Sequence, residues 1–324
     1  MPHLYKAILE NQPQDKKNIV LADLFAGTGV VSEFFLEKGY DLIINDNLYS
    51  NFACYQAWLS NEDFRQEIID KYVDEFNKID STKLENNYFS EIYGGKYYSN
   101  NDAKKIGYIR EEVERTKPKI QSREYYSLLA SLLYAADKAA NTVGHFEHFL
   151  SSVPRDNIVE LRSPLLKQYK SKITTYEEDT NKLAKKIECD IAYIDPPYNA
   201  RQYVNFYHVL ENLARWNKPT EFEGSSMKFK RDELKSVYSR VGALAAMEDL
   251  INSLDAKLIV VSYNNTYKAQ STASNNRIPE ESLEQLLEQH GRVKKYEIPY
   301  KFFNAGKTNF ADHKEIIYTC KKVR

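Results

Sequence analysis

The sequence predicts an α/β fold: an open parallel sheet interrupted by a large, mostly helical insertion. Three observations carry this. An apolar run near the N-terminus ends in a glycine turn and a helix start. A second apolar run, Asp41–Asp46, follows close behind it. The same texture then returns only beyond residue 165, after a long stretch whose apolar residues recur at helical spacing.

The elements can be justified in order. Asn18-Ile19-Val20-Leu21-Ala22-Asp23-Leu24-Phe25 followed by Ala26-Gly27-Thr28-Gly29 reads as a buried strand, a glycine turn and a helix beginning near Val30. Asp41-Leu42-Ile43-Ile44-Asn45-Asp46 reads as the next strand, so the first pair is parallel with a right-handed crossover. From Ser60 the pattern changes. Phe64, Ile68, Ile69, Tyr72, Phe76 and Ile79 form one helical stripe; Tyr125, Leu129, Leu132, Leu133, Ala136 and Ala140 form another. Between them Tyr88–Tyr108, rich in Tyr, Asn, Gly and Lys, reads as loop.

Residues 172–176 read as a short strand, Cys189–Ile194 as a strong one running into Asp195-Pro196-Pro197-Tyr198, and Lys257–Tyr263 as another. Lys295–Pro299 and Glu315–Cys320 complete the sheet. Residues 217–240 read as a mobile surface loop. The predicted domains are residues 1–59 with 166–324, forming the sheet domain, and 60–165, forming the helical insertion.

Composition narrows the function classes. The 324 residues are 42% hydrophobic and 28% charged, which excludes a disordered chain, a collagen or a coiled-coil rod. A net charge of -1 excludes a uniformly basic nucleic-acid coat but leaves room for local basic faces. Two candidates are Lys228–Arg231 and Gln289–Arg324, the latter with nine Lys/Arg against three Asp/Glu. Cys54, Cys189 and Cys320 form no CxxC pair and read as reduced thiols. The first residues hold no apolar signal core, and the apolar stretch Leu128–Ala136 is too short to span a bilayer, which predicts a soluble intracellular protein without a membrane partner. Gly144-His145-Phe146-Glu147-His148 lacks metalloprotease spacing, so no metal is expected.

Two motifs carry chemistry. A strand ending in Gly27-Thr28-Gly29 before a helix lets a ligand approach the backbone closely, and Asp46 at the tip of the next strand suits ribose hydroxyls. Dinucleotides and S-adenosylmethionine both carry a ribose. Asp23 tilts the reading to S-adenosylmethionine, because an acid there opposes a pyrophosphate and attracts a methionine ammonium; Ser32 also replaces the third glycine of the dinucleotide fingerprint. The second motif, Asp195-Pro196-Pro197-Tyr198, ends its strand by force, since two prolines cannot continue a central strand. It presents a carboxylate, acceptor carbonyls and an aromatic face, a set suited to an exocyclic amino group on a ring.

Asp23-Leu24-Phe25-Ala26-Gly27-Thr28-Gly29 followed at a distance by Asp195-Pro196-Pro197-Tyr198 resembles the Dam-like, alpha-group adenine-N6 DNA methyltransferases. Asn199-Ala200-Arg201-Gln202-Tyr203 and Tyr207-His208 are similar to one bacterial branch of that group. The resemblance implies a Rossmann-like S-adenosylmethionine-dependent sheet acting on a flipped adenine in DNA, as in restriction-modification systems, with a possible partner endonuclease and a cytoplasmic, nucleoid-associated bacterial location. It assigns Asp23, Phe25, Ala26, Gly27, Thr28 and Gly29 to the methionine part of the cofactor, Asp46 to its ribose and Asp179 to its adenine. Asp195, Pro196, Pro197 and Tyr198 become the catalytic set, and the 60–165 insertion the target-recognition region. One departure stands out: the family usually opens with a short glycine- and lysine-containing motif, which the start Met1-Pro2-His3-Leu4-Tyr5-Lys6 lacks. Either the start is shortened or another segment closes that wall of the pocket. Methylation of RNA or of a cytosine amino group, and a silent nucleic-acid-binding subunit, are the alternatives.

Overall fold

The structure is a computed structural model describing residues 1–14, 16–266, 275–299 and 314–323. Part of the basic run beginning at Gln289, residues 300–313 and 324, lies outside the described residues. The chain divides into two compact units: Met1–Asn47 with Tyr169–Tyr203 and Lys235–Arg324, and Leu48–Gln168 with Val204–Leu234.

The first unit holds a seven-stranded sheet. Its strands are β1 (Val20–Asp23), β2 (Asp41–Asp46), β3 (Ile173–Glu177), β4 (Glu188–Ile194), β5 (Asp255–Asn264), β6 (Gly291–Pro299) and β7 (Lys314–Lys322). They lie in the order β3-β2-β1-β4-β5-β7-β6. β1 to β5 are mutually parallel, whereas β7 runs antiparallel to both β5 and β6. Strands covered on both faces read as continuous apolar runs, and β4 buries every residue from Cys189 to Ile194. The helices Ala243–Ser253 and Glu280–Glu288 supply the cover. They bury Ala243, Met247, Leu250 and Ile251, and Leu283, Leu286 and Leu287, at three- and four-residue spacing. These side chains join Ala192, Ile194, Ile259, Val261, Ile316, Tyr318 and Cys320 in one core.

Strand order positions the site. From β1 the chain moves outward to β2 and β3, then returns to the other flank of β1 as β4. Ligands of open α/β sheets settle at the carboxyl ends where the order reverses, which here is the β1–β4 junction.

The second unit has its own core. Helix Gln66–Asn77 buries Ile69, Val73 and Phe76, and helix Ser122–Ala139 buries Leu128, Leu129, Leu132 and Leu133. Two buried arginines act as internal carbonyl clamps. Arg123 donates to the carbonyls of Ala57 (3.0 Å), Glu62 (3.1 Å) and Lys167 (2.7 Å); Arg110 donates to those of Leu213 (2.8 Å) and Ala214 (3.1 Å). Buried Glu211, on helix Tyr203–Arg215, caps the helix Tyr49–Trp58 by accepting from the Tyr49 and Ser50 amides at 2.9 and 3.0 Å.

Two expectations are corrected. Tyr88–Tyr108 is not a loop: it contains the helix Tyr88–Tyr93, capped by Asn87, and the start of the helix Asn100–Thr116. Its Tyr93, Tyr97 and Tyr98 are fully buried, so their rings serve as core. Residues 217–240 are not a bare surface loop either. They contain a hairpin pairing Phe222–Glu223 with Lys228–Phe229, followed by two short 3-10 turns. Phe229, Arg231 and Tyr238 are buried within this stretch. Arg231 is engaged with Asn205 (2.8 Å), the Phe229 carbonyl (2.8 Å) and Glu223 (3.2 Å), which removes it as a free phosphate contact.

Candidate active site at the carboxyl edge of the sheet

The glycine turn leaves β1 under backbone control. The Leu24 amide donates to the Tyr193 carbonyl of β4 at 3.1 Å, and the Ala26 amide to the Asn45 carbonyl of β2 at 2.9 Å. Gly27 and Gly29 sit at φ +54° and +79°, in the left-handed region that glycine enters most freely. The Gly27 amide donates to Asp46 Oδ2 at 3.0 Å, so the acid at the tip of β2 holds the turn.

Asp23, at the end of β1, is 1% exposed. Ser32, on the helix after the turn, donates to its Oδ2 at 2.7 Å, whereas its Oδ1 is buried with no hydrogen-bond partner among the described residues. Burial, with Asp195 and Asp46 as neighbouring charges, pushes its pKa up to about 7. Asp23, Asp46 and Asp195 therefore share one electrostatic neighbourhood.

Asp195 follows β4 directly. Its Oδ1 accepts from the Tyr198 hydroxyl and its Oδ2 from Tyr193 at 3.4 Å, while Tyr193 also donates to Ser262 Oγ at 3.0 Å. Burial raises its pKa to about 6, opposed by the Tyr198 bond and reinforced by Glu315. The Tyr198 ring meets Tyr263 edge-on, with centroids 5.1 Å apart and planes at 81°. Pro196 is buried.

Asp179 lies just beyond β3, exposed, and caps the helix Thr180–Ala184 by accepting from the Lys182 amide at 3.1 Å. Buried Asn45 links this corner to the turn, donating to the carbonyls of Leu24 (3.2 Å) and Glu178 (3.1 Å). Phe25 packs edge-on against Tyr238 at 5.0 Å; burial first and the charge of Asp179 next raise the pKa of that tyrosine.

Residues 3–268 match the D12 class N6 adenine-specific DNA methyltransferases. The chain belongs to this family. It is 32% identical to modification methylase StsI of Streptococcus sanguinis, over 98% of this chain and 49% of that protein. It is 30% identical to type II methyltransferase M.NlaIII of Neisseria lactamica, over 91% and 87% respectively. It is 30% identical to type II methyltransferase M.FokI of Planomicrobium okeanokoites, over 100% and 51%. The chain thus spans about half the length of the StsI and FokI proteins and most of M.NlaIII.

A D12 methyltransferase needs a place for S-adenosylmethionine, and the chemistry of this edge fits it. Asp23 Oδ1, buried and without a hydrogen-bond partner among the described residues, is an acceptor of the kind a methionine ammonium would fit. Among the described residues no group of three or more His, Cys, Asp or Glu side chains is arranged to hold a metal, and no helix is long and apolar enough to cross a membrane.

The structure adds residues that sequence reasoning missed: Asn45, Tyr193, Tyr263 and Glu315. A weak signal existed for Asn45, a polar residue inside the apolar run before Asp46. Tyr193 and Tyr263 gave none, because strand tyrosines are common in cores.

Proposed function

We propose that this chain transfers the methyl group of S-adenosylmethionine to the exocyclic N6 of an adenine flipped out of duplex DNA. The observation that carries the reading is the adjacency of β1 and β4. It brings buried Asp23, whose Oδ1 has no hydrogen-bond partner among the described residues, and the Asp195 carboxylate into one charge neighbourhood at the switch point of the sheet.

The cofactor supplies an electrophilic methyl on a sulfonium. The chain supplies placement. Asp23 takes the methionine ammonium, the Phe25–Gly29 turn leaves room for the methionine, Asp46 accepts from the ribose and Asp179 lies towards the adenine. On the substrate side, Asp195 and the Pro196 carbonyl accept the two amino protons, which localises the nitrogen lone pair and aims it. As nitrogen gains the methyl it gives up one proton, and Asp195 is the nearest proposed acceptor. Pro197 fixes the loop and Tyr198 stacks on the base. Flipping costs roughly a few kcal/mol, and stacking returns about 1–3 kcal/mol. Positioning and acceptors fixed in advance supply the acceleration.

Three finer readings go with this. The order of glycine motif, long insertion and Asp-Pro-Pro-Tyr supports the Dam-like alpha group. The 60–165 insertion, between Asp46 and Asp179 in sequence, serves as the target-recognition region, residues 1–59 with 166–324 as the catalytic domain. The names of the relatives, modification methylase and type II methyltransferase, support a role in restriction-modification; a cognate endonuclease and a bacterial cytoplasmic location on the nucleoid are part of the same proposal.

The test is to incubate the chain with labelled S-adenosylmethionine and unmethylated DNA or RNA and to identify the modified nucleoside by mass spectrometry. N6-methyladenine in DNA is expected. Label confined to RNA or to cytosine would overturn the proposal.

A further inference from the structure

We propose that Arg277 is a phosphate-binding positioning residue, which holds the DNA backbone beside the base-binding loop. The inference rests on reading Asp195–Tyr198 as that loop. Arg277 is fixed there by its main chain: its amide donates to the Tyr198 carbonyl at 2.7 Å. The neighbouring Ile278 amide donates to the Tyr263 hydroxyl at 3.2 Å, and that hydroxyl donates to the same Tyr198 carbonyl at 3.4 Å. Two amides and a phenol thus strap residues 277–278 onto the loop.

The side chain is not satisfied in the same way. Among the described residues its Nε is buried with no hydrogen-bond partner, and no carboxylate pairs with the guanidinium. A buried cationic donor without an acceptor is unfavourable, and a planar guanidinium matches an anion that offers two oxygens. The reaction brings two such anions to this edge, the DNA phosphates and the carboxylate of the methionine moiety. Position favours the phosphate. The methionine end belongs with Asp23 on β1, whereas Arg277 follows β5, on the opposite flank of β4 and its loop. A nucleotide whose base stacks on Tyr198 would bring its phosphates within reach of a cation strapped to the same loop.

The experiment uses the full chain, S-adenosylmethionine and unmethylated duplex DNA, with three variants: Arg277→Gln, Arg277→Lys and Asp195→Ala. The KM for DNA, the salt dependence of kcat/KM from about 50 to 200 mM, and cofactor affinity by calorimetry are measured. Arg277→Gln is expected to raise the KM for DNA roughly tenfold and to reduce the logarithmic salt slope by about 0.9, leaving cofactor affinity unchanged. Arg277→Lys, which keeps the charge and the main-chain strap, is expected to keep the wild-type slope while raising KM. An unchanged slope in Arg277→Gln, a loss confined to cofactor affinity, or a wild-type KM in Arg277→Lys would overturn the inference. Asp195→Ala separates the two claims: it should abolish methylation while the salt slope of its DNA Kd, read by fluorescence anisotropy, stays as in wild type; retained methylation would overturn the loop assignment and the inference with it, whereas an altered slope in Arg277→Gln alone tests Arg277.

Discussion

The amide of Leu24 donates a 3.1 Å hydrogen bond to the carbonyl of Tyr193, joining the residue that follows β1 to the penultimate residue of β4. Asp23, the last residue of β1, lies one residue before Leu24, and Asp195, the first residue after β4, lies two residues after Tyr193. Through this bond, two motifs far apart in sequence leave the sheet side by side. A shift of either strand would separate the two carboxylates and dissolve the proposed cleft.

The raised pKa of Asp23 makes a pH-dependent prediction. Its folded value of about 7 lies above its ordinary value of 3.8. A raised carboxylate favours the folded state fully below its unfolded pKa, and that contribution fades as pH rises through the folded pKa. Asp23→Asn removes the ionisation, so the stability of the variant relative to wild type should improve between pH 5 and 8, read by urea unfolding. A difference that stays constant with pH would contradict this. In wild type, an ammonium bound beside Asp23 should lower its pKa, so cofactor binding near neutral pH should release protons, detectable by calorimetry in buffers of different ionisation enthalpy.

Tyr198 has two separable roles. Its hydroxyl bond lowers the pKa of Asp195 against the burial that raises it to about 6. Tyr198→Phe keeps the ring and should move the acid limb of the kcat profile to higher pH. Tyr198→Ala should also lose stacking of about 1–3 kcal/mol, raising the KM for DNA roughly 5- to 150-fold. Equal behaviour of the two variants would show that the ring does not carry the base.

Asp46 braces the turn as well as facing the proposed ribose position. Asp46→Ala should weaken cofactor binding and lower stability by about 0.5–1.5 kcal/mol, the usual net value of one hydrogen bond. An unchanged melting temperature would mean that the Gly27 amide finds water at no cost.

In the helical unit, Glu211→Ala should destabilise strongly. It strips the Tyr49 and Ser50 amides of their acceptor and removes the Glu211 end of the ion pair with Arg215. Leaving buried helix-end amides without their acceptor costs about 1–3 kcal/mol. Chemical unfolding of purified protein reads the loss; a change below about 1 kcal/mol would refute the capping role.

The sheet was legible because its strands are continuous apolar runs ending in forced stops, glycines after Asp23 and prolines after Asp195. The candidate site was legible in part, since the carboxylates stand at those stops. What stayed hidden has physical reasons. Tyr93, Tyr97 and Tyr98 pack an aromatic core in a segment whose Asn, Gly and Lys content suggests loop, because tertiary burial overrode local propensity. Arg231 looked like a surface cation but is bound by Asn205 and Glu223, a pairing that spacing cannot announce. Arg277 meets Tyr198 only through main-chain geometry, which no side-chain pattern encodes.

The most direct test of the account is single-turnover methyl transfer to DNA by Asp195→Asn, measured beside its cofactor affinity. The proposed roles predict wild-type cofactor binding with transfer slowed by at least about 10²–10³-fold, the scale of losing one preorganised catalytic contact. Transfer at the wild-type rate would contradict the central claim that this carboxylate holds the target amino group.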